Sequence, residues 1–374
     1  MSVTGRELRS RIDEDGRLTL SLEQVETGDP GPDELLVRIE AAPVNPSDLG
    51  LLLGPADLAT MRPLGEGRTG LVLDVPPGRM GAVKPRLGQS LPVGNEGAGT
   101  VVAAGANAAG LVGRRVGMIG GAMFADYRRI KARDVIPLPD GASAADGAAM
   151  FVNPLTALGF VETARMEGHR AIVHTAAASN LGQMLQRICT ADGVPLVNIV
   201  RSPEQAALLR DLGATHVLNS RAPDFTARLT DAIAQTGATI AFDAIGGGTL
   251  GGDILAAMER AAVRGMTEYS RYGSDTFKQL YVYGALDLAP LTLNRLAFGF
   301  RWSVSGWLLF PFLQRAGAEV AARLRARVAA ELTTTFASRY SRTIGLADAL
   351  DPDTLRAYER KATGEKVLID PTLG

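Results

Sequence analysis

The chain has 374 residues, 46% of them hydrophobic and 21% charged, and a formal net charge of −1 at pH 7. That length supports two domains with sizeable cores, and the composition is that of an ordinary globular protein. The near-neutral charge leaves no electrostatic footprint for nucleic acid or for an anionic membrane surface.

The single cysteine, Cys189, excludes an internal disulfide and reads as a buried, inert thiol on an apolar helix face. His169, His174 and His216 lack metal-ligand spacing, so no zinc site is expected and His174 reads as a core histidine. The first ten residues carry charges and no apolar core, unlike a signal peptide. The longest apolar run, 302–313, is too short to span a bilayer. A cytoplasmic location without membrane or nucleic-acid partners is the expectation.

Residues 1–150 read as short strands, for example 35–39, 100–102 and 116–119, separated by turn signals, as in a barrel-like all-β unit. Residues 55–90 form a long Gly-, Pro- and Arg-rich excursion, expected to be either a lid near a substrate or a solvated insertion.

From about residue 151 the pattern becomes alternating strand and helix. A β-branched run, 171–175, meets a turn of small residues that opens a helix. In that helix Leu181, Met184, Leu185, Ile188 and Cys189 share one face. A second strand, 195–200, ends on Arg201. This is a βαβ unit whose small-residue turn is where a dinucleotide's pyrophosphate sits. The turn line is Ala178-Ser179-Asn180-Leu181-Gly182, with one glycine and with Asn180 as the residue suited to φ > 0. Arg201 stands where an NAD-selective site carries an acid. With Ser202 beside it, it suits a 2′-phosphate, so NADPH is the expected cofactor.

Further on, Ser202 is expected to cap a helix with Pro203 at its first position and Gln205 closing a capping box. Strands follow at 216–218, at 239–245 and near 263–266, with helices through Phe225–Ile233 and through Leu255 and Met258. Five strands alternating with helices specify a doubly wound parallel sheet, which binds ligands beyond the carboxyl ends of its strands. Asp243 and Tyr272 are placed at those ends, Tyr272 as both a cofactor contact and a catalytic group.

Several segments in order resemble one family. They are DELLVRIEAAPVNPSDLG (33–50), PVGNEGAGTVVAAG (92–105), VGRRVGMIG (112–120), FADYRRI (124–130), NPLTAL (153–158) and ATGEKVLID (362–370). Together they resemble the medium-chain dehydrogenase/reductase superfamily, in the zinc-independent branch that includes quinone oxidoreductases and 2-enoyl thioester reductases. The resemblance implies a GroES-like β-barrel catalytic domain (1–150), a Rossmann cofactor domain (151–315) and a return segment completing the catalytic domain (316–374). It also implies cofactor contacts at Asn153 and Thr156, and Asn45 and Asn95 facing the nicotinamide. In zinc-dependent members a cysteine stands where 45–48 lies and a histidine where Asn95 lies. Enoyl reductases of this type carry a catalytic tyrosine after the NPSD segment, whereas GLLLGPAD (50–57) has none.

The expected activity is hydride transfer from NADPH to a small electrophilic substrate, a quinone or the activated C=C of an α,β-unsaturated carbonyl. Two alternatives stand. One is a 2-enoyl thioester reductase, with Arg62, Arg68, Arg79, Lys84 and Arg86 meeting a CoA phosphate. The other is a nicotinamide-binding protein with little catalysis. The resemblance implies a homodimer formed through the edge of the cofactor-domain sheet, with 302–312 as edge, interface helix or internal core.

Overall fold

The computed structural model describes residues 2–65, 67–360 and 366–373. Two compact units divide the chain, Met1–Val152 with Arg325–Gly374, and Asn153–Leu324.

The first unit is built of two largely antiparallel sheets. One contains β1 (Val3–Ile12), β2 (Arg17–Thr27), β4 (Asp57–Pro63), β5 (Gly70–Asp74) and β6 (Leu91–Pro92), in the order β4-β5-β2-β1-β6. The other has the order β10-β8-β7-β3-β18-β17, with β9 also on β3. Its members are β3 (Glu34–Pro43), β7 (Glu96–Ala104), β8 (Arg115–Ile119), β9 (Tyr127–Lys131), β10 (Val135–Pro137), β17 (Arg342–Ile344) and β18 (Val367–Ile369). Alternation in β2 sends Leu18 and Leu20 inward, where they join Leu8, Ile12, Leu35, Val37, Ile39, Val116 and Met118 in one core. Of the closing segment 362–370, residues 362–365 lie outside the described residues. Its strand β18 pairs with β3, Leu368 opposite Pro43.

The 55–90 excursion is not an irregular loop. It supplies β4, β5 and a 3₁₀ helix, Pro77–Arg86, and it buries Leu71, Leu73 and Val83. β5 pairs with β2 from Arg17–Asp74 to Ser21–Gly70. Its five residues are too short to stand out among the surrounding glycines and prolines. Two of its basic residues brace the fold. Arg62 makes two hydrogen bonds to Asp74, and Arg86 donates to the Leu51 carbonyl and to Ser10 Oγ.

The second unit holds a six-stranded parallel sheet. Its strands are β11 (Ile172–His174), β12 (Leu196–Val200), β13 (His216–Asn219), β14 (Ile240–Asp243), β15 (Lys278–Val282) and β16 (Trp302–Gly306). They lie in the order β13-β12-β11-β14-β15-β16, the doubly wound arrangement that reverses between its first and fourth strands. Of the helices, α1 (Pro46–Leu52) and α2 (Ala144–Gly147) lie in the first unit. α3 (Val152–Met166) begins at the boundary, and α4 (Asn180–Asp192), α5 (Pro203–Asp211), α6 (Phe225–Thr236) and α7 (Leu250–Arg264) connect the parallel strands.

The strand expected at 263–266 does not exist, because α7 runs on to Arg264, carrying the face of Ile254, Leu255 and Met258. The fifth strand comes fourteen residues later, at Lys278. The apolar run 302–313 divides into β16, at the sheet edge, and α8 (Leu309–Ala316). One stretch, Ala144–Met166, is long and apolar enough to cross a membrane by length and composition, but 72% of that window is buried inside the fold.

Candidate active site

In the second unit the carboxyl ends of β11, β12, β14 and β15 gather four short segments. After β11 the chain turns through Ala176, whose φ of 49° is left-handed. Asn180, expected to take that conformation, is already the first residue of α4. The reversal is needed directly after the strand, before the helix starts. Ala177, Ala178 and Leu181 are buried, and Ser179 Oγ caps α4 by accepting from the Gly182 N–H at 3.1 Å.

Beyond β12 the Arg201 side chain is exposed. Its N–H donates to Gln205 Oε1 at 3.0 Å, while Ser202 Oγ accepts from the Gln205 N–H at 3.3 Å. Ser202 thus caps the helix as expected, and the Gln205 side chain reaches back past it to the residue before. It holds the backbone of Arg201, which fixes the base of that side chain.

Asp243 is 0% exposed. Its Oδ1 accepts from Thr175 Oγ1 (2.6 Å) and the Ile245 N–H (3.0 Å), and its Oδ2 from the Gly246 N–H (3.1 Å). It is a strut for the loop after β14 rather than a group free to touch a ligand. Gly246 has φ +79° and faces the Gly284 carbonyl so closely that a β-carbon would stand 2.5 Å from it.

Tyr272 is corrected outright. It precedes β15, so it lies at the amino end of the parallel sheet, opposite the ligand-binding edge. It is 59% exposed and packs edge-on against Phe300. With the fifth strand beginning at Lys278 and not near 263, Tyr272 precedes it. Tyr283 holds the true carboxyl end of β15, with its hydroxyl 2.8 Å from His174 Nε2. The aromatic run Tyr281-Val282-Tyr283 was the available signal. Phe160 of α3 stacks on Phe242 at 4.0 Å and meets Tyr283 and Trp307. Burial pushes His174 down to about 3, so it is a neutral core histidine near pH 7. On α3, Thr156 is buried and Asn153 half-buried.

In the first unit, Asn45 and Asn95 do converge, on a pair of carboxylates. Asn45 is the N-cap of α1 and only 3% exposed. Its N–H donates to Asp48 Oδ2 (2.7 Å) and its Nδ2 to Glu96 Oε1 (2.8 Å). Asn95 donates its N–H to Asp48 Oδ1 (2.8 Å) and its Nδ2 to Ser47 Oγ (2.9 Å). Asn45 thus belongs to the buried support, while Asn95 and Ser47 form the accessible polar pair. Glu96 Oε2 accepts from the N–H groups of Phe151 and Val152 at 3.0 and 2.8 Å. Burial pushes Asp48 up to about 7 and raises Glu96. Neither carboxylate was singled out from sequence, although NPSD and GNE carry them. Among the described residues no group of three or more His, Cys, Asp or Glu is placed to hold a metal ion.

Residues 31–140 match the alcohol dehydrogenase GroES-like domain, and residues 181–279 match the zinc-binding dehydrogenase domain. The solved structure of an NADPH:quinone reductase from Mesorhizobium loti is similar over 98% of both chains, at 27% identity and a TM-score of 0.72. The mitochondrial enoyl-[acyl-carrier-protein] reductase of Xenopus tropicalis is 30% identical over 207 residues, 53% of this chain and 51% of that protein. A quinone oxidoreductase from Pseudomonas aeruginosa is 28% identical over 43% of this chain and 51% of its own length. The chain therefore spans about half the length of the curated reductases it matches. It belongs to the medium-chain dehydrogenase/reductase superfamily, with a GroES-like unit and a doubly wound nucleotide-binding unit.

Proposed function

We propose that this chain is an NADPH-dependent oxidoreductase that reduces a quinone or the activated C=C of an α,β-unsaturated carbonyl. The observation that carries the reading is Arg201. It is a solvent-facing guanidinium at the end of the second parallel strand, its backbone held by Gln205 and flanked by the cap Ser202. A guanidinium there binds a ribose 2′-phosphate bidentately, and an acid that would favour NADH is missing. The turn Ala176–Gly182 and the N-terminus of α4 fit a pyrophosphate. Reduced nicotinamide, when bound, supplies the hydride.

Negative charge then builds on the acceptor's carbonyl oxygen. The Ser47 hydroxyl and the Asn95 amide, which donates to it, are the hydrogen-bonding groups we propose for that charge. The enoyl thioester alternative is favoured by the 30% identity to the frog enoyl reductase. Against it, 50–57 has no tyrosine, and Arg62 and Arg86 are committed to internal partners. We further propose a homodimer. β16 leaves a backbone edge open, and Leu308 (66% exposed) and Phe310 (63% exposed) follow it on the surface.

The test is binding of NADPH and NADH by the wild type and by Arg201→Ala, followed by turnover with quinones, enones and crotonyl-CoA. Preferential NADPH binding lost in the variant, with quinone or enone reduction, supports the reading. Turnover of crotonyl-CoA alone selects the thioester alternative. Tight NADPH binding with no turnover of any acceptor overturns the catalytic reading and leaves a nucleotide-binding protein. Sedimentation tests the dimer.

A further inference from the structure

Two carboxylates and one ammonium are withdrawn from solvent in the first unit, where the Val44 N–H donates to the Val367 carbonyl and so sets the chain beside Lys366 against the start of α1. Asp48 and Glu96 are buried. The Lys366 side chain, just ahead of β18, brings its Nζ out of solvent, where it has no hydrogen-bond partner among the described residues. The charges acting on it are those of Glu96 and Asp48, and it stands 5.6 Å from the centroid of the Tyr340 ring. An ammonium left this way is costly unless opposite charge compensates it.

The donor pattern around the two acids explains what the ammonium does. Asp48 receives the N–H of Asn45 on one oxygen and the N–H of Asn95 on the other. Glu96 receives the Asn45 amide on one oxygen and two backbone N–H groups, of Phe151 and Val152, on the other. Every oxygen of both acids faces a donor. A proton on any of them makes that oxygen a poorer acceptor and weakens the bond it receives. The donor pattern therefore favours the ionised form of each acid, while burial opposes it.

We propose that Lys366 is a positioning residue. Its charge favours the carboxylate forms of Asp48 and Glu96 against their burial, and through their hydrogen bonds it steadies Ser47 and Asn95 and the N–H groups of Phe151 and Val152, the last residues of this unit before the chain leaves it. The part of this that concerns turnover rests on the oxidoreductase reading above.

Asp48 titrates at about 7, raised first by burial, and Lys366 is lowered by its own burial. The other titratable groups facing the cluster are Tyr340, which feels Glu96 and Asp146, and Tyr358, which feels Arg342 and Asp48. Burial raises both phenols, so they stay neutral throughout the working range.

The test compares wild type, Lys366→Met, Lys366→Arg and Lys366→Met/Asp48→Asn. Three quantities are read from pH 5.5 to 9, namely the NADPH Kd, kcat/KM with an acceptor, and the thermal midpoint. Losing the neighbouring cation should move the acid limb of kcat/KM up by about one pH unit or more. NADPH affinity should stay within about twofold, because Lys366 lies in the other unit from the expected nucleotide site. Arginine should restore the wild-type limb.

A purely packing role predicts a lower midpoint with an unmoved pH limb, and that result overturns the proposal. Should the wild type turn over no acceptor, the catalytic reading fails separately. The proposal is then judged on the thermal midpoint. Its fall with rising pH should extend about one unit higher in Lys366→Met, and the double variant should lose the part of that fall carried by Asp48. An undiminished fall in the double variant overturns it, even if the single methionine variant does not fold.

Discussion

A β-carbon on Gly182 would stand 2.8 Å from Cα of Ala177, inside van der Waals contact with the turn that opens α4. Of the three glycines usual in such a turn, the one that survives here lets helix and strand approach. Gly182→Ala is expected to push the helix start away from the turn. Nucleotide affinity should fall by about tenfold, the equivalent of ~1.4 kcal/mol, and titration of NADPH against both proteins checks it. Unchanged affinity would mean that phosphate is not bound at this turn.

Glu259 and Lys278 form a buried pair at 2.6 Å, with Ser274 donating to Glu259 from both its N–H and its hydroxyl. Burial raises Glu259, but the bonds from Lys278 and Ser274 outweigh it and hold the acid below its ordinary value. Lys278→Met leaves that carboxylate buried and unpaired, a loss of about 3–5 kcal/mol. The double variant Lys278→Met/Glu259→Gln should recover part of it, since no charge then remains. Urea unfolding of the two variants makes the comparison.

Asp48 titrates at about 7 in the folded protein, above the ordinary 3.8 for an aspartate. A folded-state value above the unfolded one means that the native state binds the proton more tightly. The stability this contributes is full below about pH 4 and is lost as pH rises through 7. Thermal midpoints from pH 4.5 to 8 should therefore decline with a component that Asp48→Asn abolishes. A profile of the same slope in the variant would place the titration elsewhere.

Tyr283 gives His174 its hydrogen-bond partner at Nε2, and His174 Nδ1 has none among the described residues. Tyr283→Phe leaves the imidazole with no partner there and should cost about 1–3 kcal/mol. Because burial holds His174 near 3, the loss should be the same at pH 6 and pH 8. A loss confined to the lower pH would show that the ring carries charge.

Much of the nucleotide-binding unit was legible in the residues themselves. The apolar spacing of Leu181, Met184, Leu185 and Ile188 has a single reading as a helix face, and Ile172–His174 and Leu196–Val200 are β-branched runs with nothing helical to compete. Arg201 at a strand end follows from local sequence alone. The errors came where local signals compete. Val263 continues an amphipathic helix as well as it begins a strand, and that one choice carried Tyr272 to the wrong end of the sheet.

What the sequence by itself determined is therefore the alternation of elements, the doubly wound order that follows from it, and the basic residue at the end of the second parallel strand. Helical and strand periodicities are local, and a parallel sheet has few other ways to connect. What only the tertiary structure decided is which polar residues are buried together. Asp48, Glu96 and Lys366 are separated by up to 318 positions in the chain, and nothing in their local context distinguishes them from surface charges. Their meaning lies in desolvation and in donors that arrive from distant loops, and both exist only once the chain has folded.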